Sequence, residues 1–180
     1  MMNIHPRKQR SEASDRTVND GATKEVFHLN RSYYGVYVPK MTWRQMRNFS
    51  TNSVALVLSS TDYDANDYIR DFDAFLAESK NVTLCERKEK LKLRNEKPIW
   101  NIQKPSVFDC SVVEFAKHSF DEGNLTVVQG KENVPFDIKR VYYIVKTVDD
   151  VVRGKHAHRK LEQILICVNG SFKLKLDDGH

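Results

Sequence analysis

The chain has 180 residues, 40% of them hydrophobic, with seven Gly, five Pro and a formal net charge of +5. That length fits one domain with a real core, and no apolar run approaches the ~18 residues of a membrane span or the core of a signal peptide, so a cytoplasmic protein is expected. The basic excess gathers in the first sixteen residues and in residues 86–97 without interleaved aromatics, which argues against nucleic acid, and three cysteines without C-x-x-C spacing signal neither a disulfide framework nor a zinc knuckle.

Residues 1–18 are polar and are expected to form a flexible arm, followed by a turn signal at Asn19-Asp20-Gly21. Strand-like runs occupy residues 25–29, 33–38 and 54–59; the last is nearly all apolar, which predicts burial on both faces. After the acidic run Asp62-Tyr63-Asp64-Ala65-Asn66-Asp67, the residues Tyr68, Ile69, Phe72, Phe75 and Leu76 share one face at helical spacing, with the acids as caps. Residues 79–108 read as a charged linker, partly helical across 86–94, with Trp100 and Ile102 as its apolar anchors. Period-two patterning resumes at residues 110–115, 125–129, 140–145, 156–168 and 171–176, with a hairpin signal at Asn169-Gly170. Two blocks of short strands, 19–78 and 109–180, with one helix in the first, predict an antiparallel all-β barrel or sandwich.

The second block stops at the turn Asp177-Asp178-Gly179, which would leave an unpaired edge. The first block opens with a strand in need of a partner. Residues 173–177 and 24–29, joined through a turn, would make an ordinary hairpin. The chain therefore reads as a barrel opened at one hairpin, with its original ends joined by the linker. Three arrangements fit: halves that close within one chain, halves exchanged between two chains, or a fragment of a tandem gene holding the tail of one barrel and the head of the next.

The sharpest chemical signal is His156-Ala157-His158. In a strand these two imidazoles project to one face, and Glu162 joins them if the strand stays regular. Such a set could bind a metal, or two neutral imidazoles could act as acid and base near pH 7.

Several stretches carry a resemblance. Residues 110–179 look like the first half of the dTDP-4-keto-6-deoxyglucose 3,4-ketoisomerases, the WxcM-like cupins, through Lys139-Arg140-Val141-Tyr142-Tyr143, Arg153-Gly154-Lys155-His156-Ala157-His158 and Leu176-Asp177-Asp178-Gly179. Residues 19–78 resemble the second half, through Gly35-Val36-Tyr37-Val38-Pro39, Trp43 and Asp67-Tyr68-Ile69-Arg70-Asp71-Phe72. The resemblance implies a cupin fold, that is, an RmlC-like jelly-roll barrel, here with its halves in circularly permuted order. It also implies a homodimer, strand-swapped if the halves pair between chains. The implied reaction moves a ketone from C4 to C3 of a dTDP-linked keto-deoxysugar through an enediol, in amino-sugar assembly for surface polysaccharide. No cofactor and no metal are implied, and the paired histidines carry over to His156 and His158. No histidine follows Gly35 in the second-half segment, which also argues against a metal, and Arg44 stands where some relatives have histidine.

The remaining candidates are substrate contacts. Arg153 could grip the diphosphate through paired hydrogen bonds, and Arg140 could meet a phosphate. Tyr142 and Tyr143 face opposite ways on one strand, so at most one lines the cavity. Tyr37 and Trp43 could stack on thymine or fill the core. Asp62-x-Asp64-x-Asn66 resembles the start of a calcium loop, but Asp67 replaces the required Gly, so a helix cap is expected. The rival functions are a nucleotide-sugar-binding cupin without turnover, a metal-dependent cupin of another class, and an inactive fragment.

Overall fold

A computed structural model describes residues 14–19 (as backbone), 22–79, 106–145 and 151–179. The expected linker helix at 86–94 and the anchors Trp100 and Ile102 lie outside the described residues. The first block supplies β1 (Ser14–Asn19), β2 (Ala22–Leu29), β3 (Tyr34–Val38), β4 (Trp43–Arg47), β5 (Val54–Ser59), β6 (Tyr68–Ile69) and α1 (Phe72–Ser79). The second supplies β7 (Ser111–Glu114), β8 (Lys117–Phe120), β9 (Gly123–Thr126), β10 (Arg140–Ile144), β11 (Arg153–His158), β12 (Gln163–Asn169) and β13 (Phe172–Asp177).

Two antiparallel sheets face each other in a cupin-like sandwich. One runs β1-β2-β13-β4-β11-β6 and the other β10-β5-β12-β3-β7, while β8 and β9 form a separate hairpin. The two blocks alternate in both sheets, so neither could form its sheets without the other. The pairing read from the sequence is present within the chain: β13 runs antiparallel to β2 with Lys173 opposite His28 and Asp177 opposite Lys24. Among the described residues no ladder joins the two sheets, so the barrel is not closed.

The side chains that alternate inward account for the core. Phe27, Leu29, Met46, Phe172, Leu174 and Leu176 from the first sheet meet Val36, Val38, Ala55, Val57 and Leu165 from the second. Each such aliphatic side chain contributes about 1.5–3 kcal/mol on burial. A second cluster lies on the outer face of the second sheet, where Tyr37, Leu58, Ile164 and Ile166 are covered by Phe115, Val134 and Phe136. That cover explains why β5 and β12 carry continuous apolar runs rather than alternation.

The structure corrects several boundaries. The expected arm at 1–18 reaches into β1, which pairs with β2. The expected helix across 68–76 begins only at Phe72. Tyr68 and Ile69 form β6, because their backbone pairs with His158 and Ala157 of β11. Asp71 then caps α1 by accepting the Ala74 N–H at 2.8 Å. The expected single strand at 156–168 is two strands, broken at residues 159–162. Strand β4 carries no period-two signal, since a buried Arg44 replaces an apolar residue on its inner face. No helix among the described residues is long and apolar enough to cross a membrane.

Candidate active site

The polar residues collect at one end of the space between the sheets, where β11, β4, β6, β12 and β10 bring their inward side chains together. A β-bulge in β11 sets the arrangement. Gly154 pairs with Gln45 and His156 pairs with Arg44, leaving Lys155 as the extra residue. Arg153 and His156 are three residues apart and would face opposite ways in a regular strand. The bulge returns both to the inner side. Gly154 has φ 89°, and a Cβ there would stand 2.9 Å from the Arg44 carbonyl oxygen, so only glycine fits.

His156 and His158 do share a face, with ring centroids 4.9 Å apart in an edge-to-face arrangement. His156 Nδ1 lies 2.9 Å from the Gly154 carbonyl oxygen. A carbonyl only accepts, so Nδ1 carries the proton and Nε2 keeps its lone pair. His158 Nδ1 lies 3.0 Å from Asp67 Oδ2, with the two side chains only 0% and 5% exposed. The same logic puts its proton on Nδ1, and His158 Nε2 has no partner among the described residues.

Asp67 is held to this task. Its second oxygen accepts the Lys160 N–H at 2.7 Å, and its carbonyl accepts the Arg159 N–H at 3.0 Å. Asp64 caps the short 3-10 turn Ala65–Asp67 by accepting the Asn66 N–H. The acidic run thus does not cap α1: Asp64 caps this short turn and Asp67 turns inward to the histidine.

Electrostatics keep both imidazoles neutral. Burial, and then the Arg44 guanidinium, push His156 down to about 4. Burial, followed by Arg44 and His156, pushes His158 down further. The Tyr68 ring sits 4.2 Å from the His158 ring and 5.0 Å from that of His156, and the Arg70 guanidinium lies 4.7 Å over Tyr68.

Arg44 is fully buried. One guanidinium nitrogen donates to Gln163 Oε1, and its Nε and Nη2 have no partner among the described residues. Burial lowers its pKa to about 10, which still leaves it cationic at neutral pH. Gln163 Nε2 donates to Tyr142 OH at 3.1 Å and Ser59 Oγ at 3.3 Å. Arg140 lies 5.4 Å from the Tyr142 ring and from the Tyr63 ring, and its Nε and Nη2 are likewise buried without partners. Buried guanidinium nitrogens without acceptors are costly, and two arginines that each carry such nitrogens beside a pair of bases suit an anion formed there.

The expected contacts thus divide. His156, His158, Tyr142 and Arg140 come together, and Arg153 stands exposed at the start of β11 opposite Met46. Tyr143 points away and is 68% exposed. Glu162 does not join the histidines, because β11 ends at His158. It accepts the Tyr37 hydroxyl at 2.9 Å, and Tyr37 lies in the cluster on the far face of the second sheet. Asp67, Arg44, Gln163 and Tyr68 were not read as site residues. Only Arg44 carried a signal, as the residue that stands where some relatives have histidine. Among the described residues no group of three or more His, Cys, Asp or Glu is placed to hold a metal ion.

The model of the FdtA family, described as WxcM-like, C-terminal, matches residues 12–80 and 108–180, most of the chain. A TDP-4-oxo-6-deoxy-alpha-D-glucose-3,4-oxoisomerase from Aneurinibacillus thermoaerophilus is 49% identical over 69 residues, covering 38% of this chain and 50% of the relative. The chain thus spans about half the length of the curated relative it matches. No solved structure matches the chain.

Proposed function

The chain belongs to the WxcM-like family, and we propose that it is a sugar 3,4-ketoisomerase converting dTDP-4-keto-6-deoxyglucose to its 3-keto isomer. The observation that carries this reading is the buried Asp67–His158 pair, with His158 Nε2 unpartnered among the described residues, its ring 4.9 Å from that of a second neutral histidine, and Arg44 and Arg140 nearby with unpartnered guanidinium nitrogens.

Isomerisation needs a base at C3, stabilisation of an enediolate, and a proton returned to C4. His158 Nε2 is suited to take the C3 proton, since Asp67 stabilises the imidazolium that forms. The C3–H electron pair becomes the C3=C4 bond, and the carbonyl pair moves onto O4. Arg44 and Arg140 would hold that oxyanion by charge and hydrogen bonds. His156 Nε2 can accept the O3 proton and deliver it to O4. The proton on His158 exchanges with solvent while the enediol stands, and delivery of a proton from that imidazolium to C4 then regenerates neutral histidine and leaves the ketone at C3. Arg153, exposed at the start of β11, would meet the diphosphate.

The same proposal holds that the two family segments stand in circularly permuted order, which the β2–β13 ladder within one chain supports. It includes a cytoplasmic homodimer that serves deoxyamino-sugar assembly, and sedimentation of the purified chain tests the dimer.

The test follows dTDP-4-keto-6-deoxyglucose with the purified chain by NMR in deuterated water. A 3-keto product carrying deuterium at C4 is expected. The sugar nucleotide bound but unchanged would favour a binding cupin, and neither binding nor turnover would overturn the proposal.

A further inference from the structure

On the outer face of the first sheet, opposite the histidines, lies a cleft of about 420 Å³ lined by Lys24, Trp43, Gln45, Phe72, Lys155, Lys175 and Asp177. Strand alternation separates it from the active site. Trp43 and Gln45 point outward where Arg44 points inward, and Lys155 points outward where His156 points inward. Its walls combine two chemistries. Trp43 and Phe72 meet edge to face at 5.0 Å, and Phe72 remains 37% exposed, so an apolar ring surface is open to the cleft. Three ammonium groups surround it and only one carboxylate, Asp177, which lies 3.6 Å from Lys24. Among the described residues Lys155 and Lys175 form no ion pair within 4 Å, although Asp177 lies close enough to act on Lys175. Burial, and then the charge of Lys24, lower the pKa of Lys175, which fits a site short of negative charge. Lys155 also holds a left-handed backbone, φ 52°, which non-glycine residues seldom adopt; the bulge fixes its ammonium on this side.

We propose that this cleft is a second ligand site, separate from the histidine site, for a nucleoside diphosphate. Its phosphates meet Lys155, Lys175 and Lys24, and its planar base lies against Phe72. Lysines bind phosphate as point charges, and a buried or half-buried ammonium gains more from an anion than a fully solvated one.

Calorimetric titration of the whole chain with ADP and with inorganic pyrophosphate tests the proposal. ADP should bind saturably and more tightly than pyrophosphate, because only ADP can use the ring surface. The K155A/K175A variant should weaken ADP binding by at least about tenfold, and R153A, at the other site's proposed diphosphate contact, should leave it unchanged. If the double variant unfolds by circular dichroism, K155A alone, at an exposed position, should still weaken binding severalfold. No saturable ADP binding, equal affinity for pyrophosphate, indifference to the lysine substitutions, or loss on R153A would each overturn the proposal.

Discussion

Replacing Asp67 by Asn probes the chemistry most directly. The side chain keeps its size, and its remaining oxygen can still accept the Lys160 N–H, so the fold should survive. What changes is the partner of His158 Nδ1, now 3.0 Å from a carboxylate oxygen. A hydrogen bond to a charged group is worth about 1.5–3 kcal/mol. At about 1.36 kcal/mol per decade, losing the stabilised imidazolium costs roughly 10- to 150-fold in rate. An amide N–H turned toward Nδ1 would also move the histidine proton to Nε2 and remove the base, extending the loss to on the order of 10⁴-fold. The assay is the initial rate of ketone migration by NMR, paired with nitrogen-15 spectra that report the His158 tautomer. A kcat close to wild type, with the proton still on Nδ1, would refute the role of Asp67 and with it the assignment of His158 as base.

Because burial and Arg44 lower the pKa of His156 to about 4 and that of His158 in the same direction, both histidines bind protons more readily in the unfolded chain. Stability should therefore hold above the unfolded value of about 6.5 and fall as pH drops from there toward 4, at up to about 1.4 kcal/mol per pH unit for each histidine. Urea unfolding at pH 7 and pH 5 measures this, and H158N should flatten the dependence. Gly154→Ala forces a Cβ against the Arg44 carbonyl at φ 89°; a loss of about 1–3 kcal/mol in urea titrations is expected, with turnover falling as His156 shifts. Tyr37→Phe removes the hydrogen bond to Glu162 on the far face of the second sheet, so KM for the sugar nucleotide should stay within about twofold while stability drops by about 1 kcal/mol; a large rise in KM would return Tyr37 to the site.

Much of the fold was legible because local rules governed it. Residues 54–59 read as a strand buried on both faces, and β5 is covered on one side by the sandwich core and on the other by Phe136 and its neighbours. The β2–β13 pairing followed from two strand ends that each lacked a partner. His156 and His158 shared a face because period two survives across three residues. Period two could not predict the bulge at Lys155, which depends on pairing with β4 and brings Arg153 to the same side as the histidines. Nor could it foresee the break after His158, which carried Glu162 away and put Gln163 into the inner network. Asp67 read as a helix cap because local sequence favours that use. It became the partner of His158, 91 residues away in the chain, because the adjoining β6 pairs with β11 and delivers the carboxylate to the buried imidazole. Alternation and turn chemistry act over a few residues and so leave their mark in the sequence; a buried acid–base pair joins strands from both ends of the chain, and its geometry exists only once the two blocks have interleaved.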